Sequence, residues 1–128
     1  MTRTVLFVCP HGAGMSRIAA AWFNLLAGAD WYAASAGIEP QSEIGLNAPL
    51  LLAGTRAEQF LDREPPRPIS SVREVERIVA LCCDVAGAER WDLSNREFTE
   101  AMHDEIRERA EALARRCNDS VAAAPGLE

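Results

Sequence analysis

Val5-Leu6-Phe7-Val8-Cys9 is an unbroken apolar run and predicts a short strand buried on both faces. Ser16 then reads as a helix N-cap, with Ile18, Trp22, Leu25 and Ala29 following at helical spacing and Gly28 as the C-terminal stop. A second strand is predicted over Trp31–Ala36, ended by Gly37. Asn47 is placed to cap a helix through Pro49 and Leu50 to Leu52, and Ala57–Leu61 reads as a further helical turn. Pro65, Pro66 and Pro68 make a linker inside the domain, because prolines so close together fit neither a helix interior nor a central strand. Ile69 is expected at the core of a short strand, Ser71–Glu76 as a brief helix, and Arg77–Cys82 as another buried strand. A loop follows from Cys83 through Gly87 to Leu93. Ser94-Asn95-Arg96-Glu97 has the form of a capping box. The helix it opens carries an apolar stripe of Phe98, Met102, Ile106, Ala110 and Leu113, with His103, Asp104, Glu105, Arg107 and Glu108 on its solvated face.

Strands alternating with helices predict an α/β fold: one doubly wound domain with a four-stranded parallel sheet flanked by helices, over residues 1–117. Residues 118–128 read as a flexible tail. In such sheets ligands bind beyond the carboxyl ends of the strands. Cys9 lies at that end of the first predicted strand, and Cys82 and Cys83 at that end of the last.

Composition narrows the function. The chain has 128 residues, 48% of them hydrophobic, and a formal net charge of -6. That charge argues against a nucleic-acid or anionic-membrane partner, both of which call for a basic face. It leaves open one local anion pocket, which needs only a few oriented dipoles. No apolar run reaches membrane-span length and no signal-peptide pattern is present, so a cytoplasmic location is expected. The four cysteines point to thiol chemistry or buried small residues rather than a disulfide framework. None is paired at zinc-ligand spacing, and neither a metal nor a cofactor is expected.

The candidate chemistry centres on Cys9. A strand that ends on a cysteine, runs into a glycine-bearing loop and then starts a helix aims backbone N–H groups and a helix dipole at one thiol. Pro10, His11, Gly12, Ala13, Gly14, Met15 and Ser16 form that candidate oxyanion-binding loop. His11 is placed to donate to a bound oxyanion or to hold the thiolate. Asp92 is the nearest candidate acid, and Arg17 the nearest candidate anion clamp.

The run VLFVCPHGAGMSRIAAAWFN resembles the opening of low-molecular-weight protein tyrosine phosphatases and of the thioredoxin-coupled arsenate reductases that share their fold. Ser35-Ala36-Gly37-Ile38-Glu39-Pro40 and Asn47-Ala48-Pro49 resemble the second-strand segment and the next helix start. Leu81-Cys82-Cys83-Asp84 resembles the end of the fourth strand, and Trp91-Asp92-Leu93 with Asp104-Glu105-Ile106-Arg107 resembles the reductase branch. The resemblance implies Cys9 as nucleophile, Ser16 as the hydroxyl that holds it as thiolate, and Cys82 as a second redox cysteine.

Two positions depart from the pattern. Met15 stands where the clamping arginine belongs, while the spacing from Cys9 to Trp22 matches the family without insertion. Arg17 then serves only if the loop is rebuilt, since two residues along a helix turn a side chain by about 200°. Asn95 stands at the general-acid position, and no cysteine occupies the third redox position near Glu89. Cys9 bridging to Cys82 or Cys83 remains a two-cysteine alternative, with at most one of these adjacent residues facing Cys9. The resemblance implies a phosphate or related oxyanion ligand, with a phosphorylated protein as a candidate partner. The reading favours a phosphate-monoester hydrolase. The alternatives are a non-catalytic oxyanion- or phosphoprotein-binding module and an arsenate-reductase-like or redox-sensing protein.

Overall fold

The computed structural model describes residues 2–122. Its sheet is parallel throughout, with strands β1 (Arg3–Cys9), β2 (Trp31–Gly37), β3 (Val75–Leu81) and β4 (Glu89–Trp91) in the order β2-β1-β3-β4. Helices α1 (Met15–Leu26), α2 (Asn47–Leu52) and α3 (Glu100–Ala122) are joined by 3-10 turns at Glu58–Phe60 and Ile69–Ser71.

The alternation of β1 sorts the core. Val5, Phe7 and Cys9 face α1, α2 and α3, together with Ala33, Val79, Leu81 and Trp91 from the other strands. Leu6 and Val8 face the opposite way, toward Ile69, Val72, Cys83 and Val85, so that face is closed by a 3-10 turn and loop. Both sides of β1 are dry, which is why its sequence shows an apolar run rather than alternation.

Several local expectations differ from the structure. Ile69 begins a 3-10 turn rather than a strand, fastened by Ser71 Oγ donating to the Pro68 carbonyl at 2.8 Å. The helix expected over Ser71–Glu76 is absent, because β3 has already begun at Val75 and pairs with Thr4. β4 lies within the segment expected as loop. Its three residues carry two charges and too short a pattern to show in sequence. Leu81 therefore ends the third strand of four, and Cys82 and Cys83 sit beside the middle of the sheet.

Helix starts shift for identifiable reasons. α1 begins at Met15, not after Ser16, and carries no side-chain cap. α2 likewise starts at Asn47, with Leu46 in the cap position. The capping box at Ser94 does not form. Ser94 and Asn95 instead donate their N–H groups to the Glu105 carboxylate, and Thr99 Oγ1 accepts from Met102 N at 3.3 Å. His103 is buried, not solvated, because Trp22 Nε1 donates to its Nε2 at 3.0 Å. At the C-terminus, α3 continues through Asn118, whose amide accepts from Gly28 N and donates to Leu26 O. The expected tail is thus helical as far as Ala122, and residues 123–128 lie outside the described part.

Candidate active site

Cys9 is buried at the carboxyl end of β1, and its Sγ forms a hydrogen bond with Ser16 Oγ at 3.1 Å. Ser16, the expected helix cap, is thus turned toward the sulfur. Between the two residues the chain makes a tight loop, with Gly12 at φ 67. That loop lies hard against β2. A Cβ on Gly12 would stand 2.7 Å from Gly37 N, and one on Gly37 would stand 2.5 Å from the His11 carbonyl carbon. Only glycine fits on either side of this crossing.

The loop carbonyls are all but spoken for. Cys9 O, Pro10 O and His11 O accept from the N–H groups of Ile38, Glu39 and Gln41, at 3.2, 2.8 and 3.3 Å. Gly12 O accepts from Arg17 Nε at 2.8 Å, and Gly14 O accepts from Arg17 N and Ile18 N. Across a trans peptide the C=O and the following N–H point in opposite directions. Anchoring the Pro10, His11, Gly12 and Gly14 carbonyls in the protein therefore turns the N–H groups of His11, Gly12, Ala13 and Met15 away from it, while Pro10, after Cys9, has no N–H to turn. Among the described residues, none of the N–H groups from His11 to Ser16 has an acceptor within the chain. Unpartnered amides at the start of a helix make an anion-binding concavity.

A cavity of about 200 Å³ opens at this point, lined by Cys9, Pro10, His11, Ala13, Gly14, Met15, Gln41, Gly45, Asn47 and Phe98. None of these is an arginine, lysine, aspartate or glutamate. Met15 lines the cavity, whereas Arg17 does not. The Arg17 side chain is fully buried behind the loop, with Nη1 donating to the Asp62 carbonyl and its charge 3.9 Å from the Asp62 carboxylate. Burial pushes its guanidinium below the ordinary value, while Asp62 works in the other direction. Asp62 is held in turn by Arg67 at 2.8 Å.

The structure superimposes on that of an arsenate reductase from Archaeoglobus fulgidus with a TM-score of 0.68 and 32% identity, over 86% of this chain and 98% of the other. The chain belongs to the low-molecular-weight protein tyrosine phosphatase and arsenate reductase family. A thioredoxin-dependent arsenate reductase from Corynebacterium glutamicum is similar at 28% identity and a TM-score of 0.67, over 93% of this chain but only 63% of that one. A low-molecular-weight protein tyrosine phosphatase from T. tengcongensis shares the fold at 16% identity, with a TM-score of 0.65 over 93% of this chain and 99% of the other. Neither a family model nor a curated protein matches the sequence.

The remaining candidate residues of this family member are scattered. Asp92 does not line the cavity. Its carboxylate accepts from Arg90 Nε at 2.7 Å on the exposed side of β4. Asn95, at the family's acid position, donates to Glu105 at 3.3 Å and also lies outside the cavity lining. His11 Nδ1 stands 3.2 Å from Glu39 O, a carbonyl that can only accept, so Nδ1 is the donor of that contact.

The adjacent cysteines separate just beyond the end of β3 at Leu81, where the chain leaves strand geometry. Cys82, with φ 56, packs against the core that contains Cys9. Cys83 packs on the opposite face, where its Sγ donates to Val8 O at 3.6 Å. Burial pushes the Cys83 thiol up to about 11, with the Cys9 sulfur a second cause.

Phe98, Gln41, Gly45 and Asn47 join the cavity without having been singled out in sequence for that role. Phe98 was expected on the helix stripe. Its ring instead lies over Gly14, where a Cβ would meet Cζ at 2.6 Å. A glycine opposite an aromatic is a usable signal only once the fold brings the two together.

One cluster has metal-like spacing. Ligand atoms of Glu100, His103 and Asp104 lie within 4.8 Å of one another. Trp22 Nε1 donates to His103 Nε2, however, which puts the imidazole proton on Nδ1, the atom facing Asp104 at 3.0 Å. A neutral imidazole so arranged has no lone pair left for a cation on that side. Among the described residues no helix is long and apolar enough to cross a membrane.

Proposed function

We propose that Cys9 is the nucleophile of a thiol-dependent enzyme that reduces a pentavalent arsenic oxyacid. One observation carries this reading: the Cys9 sulfur, hydrogen-bonded to Ser16, opens into a cavity lined by His11, Ala13, Gly14 and Met15, whose N–H groups have no acceptor among the described residues, and free of any carboxyl group. Hydrolysis of a phosphate monoester needs a proton for its leaving group, and losing that acid typically costs about 10²–10⁴ in rate. In arsenate a second hydroxyl can supply the proton with which the first leaves as water, so the first step needs no acid from the protein. The likeness to arsenate reductases at 32% and 28% identity supports the same choice.

In this scheme the Cys9 thiolate attacks arsenic and forms an S–As bond, while one hydroxyl leaves as water with the proton of a second hydroxyl of the same acid. A second thiol then attacks Cys9 Sγ. The S–As bond breaks with its electron pair remaining on arsenic, so trivalent arsenic is released and two thiols become one disulfide. Cys82, packed on the Cys9 side of the sheet, is the internal candidate, and an added dithiol restores both sulfurs. Amides that point at the oxygens supply the electrostatic help.

The test is arsenite production from arsenate with an added dithiol, run beside hydrolysis of an aryl phosphate. Arsenite formation that disappears in Cys9→Ser, with aryl phosphate hydrolysis near background, is the expected result. Aryl phosphate turnover that depends on Cys9, without arsenite formation, contradicts the reading and restores the phosphatase alternative. The absence of both, with anion binding intact, leaves a binding module.

A further inference from the structure

Resting on the reading of Cys9 above, the composition of the cavity narrows the substrate. Its one reactive sulfur is surrounded by two kinds of wall. Pro10, Ala13, Met15 and Phe98 are apolar, and His11, Gln41 and Asn47 are polar without formal charge. The Arg17 guanidinium lies outside the cavity lining, with Nε and Nη1 donating to the Gly12 and Asp62 carbonyls behind the loop and Nη2 buried without a partner. A dianion entering this space loses its hydration and meets amide dipoles but no full countercharge, which is costly. A monoanion loses far less.

The apolar wall needs an occupant as well. Phe98 is 38% exposed, with its ring over Gly14 at the cavity edge, and Met15 adds a polarizable thioether of the kind that packs well against aromatic rings. At about 200 Å³ the cavity is smaller than the roughly 300–1,000 Å³ typical of sites for drug-sized ligands. That size suits a compact acid with one substituent.

We propose that the site selects an arsonic acid bearing a single small aryl group over unsubstituted arsenate. The amides of residues 11–16 hold the singly charged head against Cys9, and Met15 and Phe98 hold the ring. Replacing one acidic hydroxyl by carbon leaves such an acid largely monoanionic at neutral pH. It also supplies the apolar surface that the cavity wall matches. Met15 is thereby a specificity-determining residue: where the family places a cation, this chain places a hydrophobic contact.

The experiment uses the full chain and follows alkylation of Cys9 by iodoacetamide, read by peptide mass spectrometry, in the presence of phenylarsonate or inorganic arsenate. Phenylarsonate is expected to protect Cys9 at a concentration about tenfold or more below that needed for arsenate. Met15→Arg is expected to reverse the order, and Phe98→Ala to remove the advantage of the ring. If Cys9 reacts readily and arsenate protects it as well as phenylarsonate does, the substrate assignment is wrong while the thiol reading stands. If Cys9 resists iodoacetamide with no acid present, the thiol reading itself fails and takes this inference with it.

Discussion

Arg17 Nε donates to the Gly12 carbonyl at 2.8 Å, from behind the loop that surrounds Cys9. The bond fixes the 12–13 peptide with its oxygen inward and its N–H on the opposite side, at Ala13, which lines the cavity. Arg17 thus acts on the site through backbone orientation, whereas its place in the sequence had made it a candidate clamp. Arg17→Met is expected to lose roughly 2–4 kcal/mol of stability, less than a fully isolated buried pair costs, because Asp62 keeps Arg67. Thermal unfolding measures this. Arg17→Lys should recover little of it, since one ammonium cannot span the Gly12 and Asp62 carbonyls as the guanidinium does.

Met15→Arg places a guanidinium where the cavity now has a thioether. A charge-assisted hydrogen bond to a bound oxyanion contributes about 1.5–3 kcal/mol. Calorimetric titration with inorganic phosphate should therefore show binding tighter by roughly 10–100-fold than in the unchanged chain. Equal affinity in both would mean that residue 15 does not face the anion.

Gly14→Ala drives a methyl group to within 2.6 Å of the Phe98 ring and displaces it from the cavity edge. A loss of at most about 1 kcal/mol is expected from such crowding, because the ring is the outer end of a half-exposed side chain that can swing aside. In the double variant with Phe98→Ala most of that loss should vanish, because the obstacle is gone. A double-mutant cycle on unfolding free energies reads the coupling, and strict additivity would contradict the packing described.

Alkaline pH offers a separate check on Cys83. Its folded thiol, pushed by burial to about 11 from an ordinary 9.0, gives up a proton less readily than the unfolded one. The resulting stabilisation is complete below about 9 and is lost as pH rises through about 11, an effect of at most roughly 2–3 kcal/mol. Cys83→Ala should flatten the decline in stability over that window. At neutral pH Cys83 should also be the slower of the adjacent cysteines to alkylate.

Much of the fold was legible because the buried elements announce themselves. The Val5–Cys9 run is buried throughout, the second strand forms where Trp31–Ala36 predicts it with Tyr32 turned outward, and Met102, Ile106, Ala110 and Leu113 of the predicted stripe lie in the core, while Phe98 falls before α3 begins. What escaped has tertiary causes. β4 is three residues long and pairs only with β3, so no local period reveals it. His103 is buried because Trp22, some eighty positions away, needs an acceptor for its indole N–H. The capping box at Ser94 gave way to Glu105. Partial burial there works against the charge, yet the hydrogen bonds from Ser94 and Asn95, with Arg109 nearby, hold the carboxyl below its ordinary range.

The site divides in the same manner. The cysteine, the glycine loop and the helix start are adjacent in the chain and were readable together. Whether Met15 or Arg17 faces the cavity depends on Asp62, and the rim depends on Gln41, Gly45 and Phe98. Those residues meet only when β2 and α3 have docked.

The central claim is that main-chain amides around Cys9 hold the oxyanion. Its most direct test is a ¹H–¹⁵N correlation spectrum of the full chain titrated with arsenate. The amide signals of His11, Gly12, Ala13, Gly14, Met15 and Ser16 are expected to move together and saturate, and Met15→Arg should shift the midpoint to lower concentration. If those six signals stay still while others move, for instance those near the exposed Arg3, Arg77 and Arg116 that line a separate cleft, the amide cradle is not the binding site.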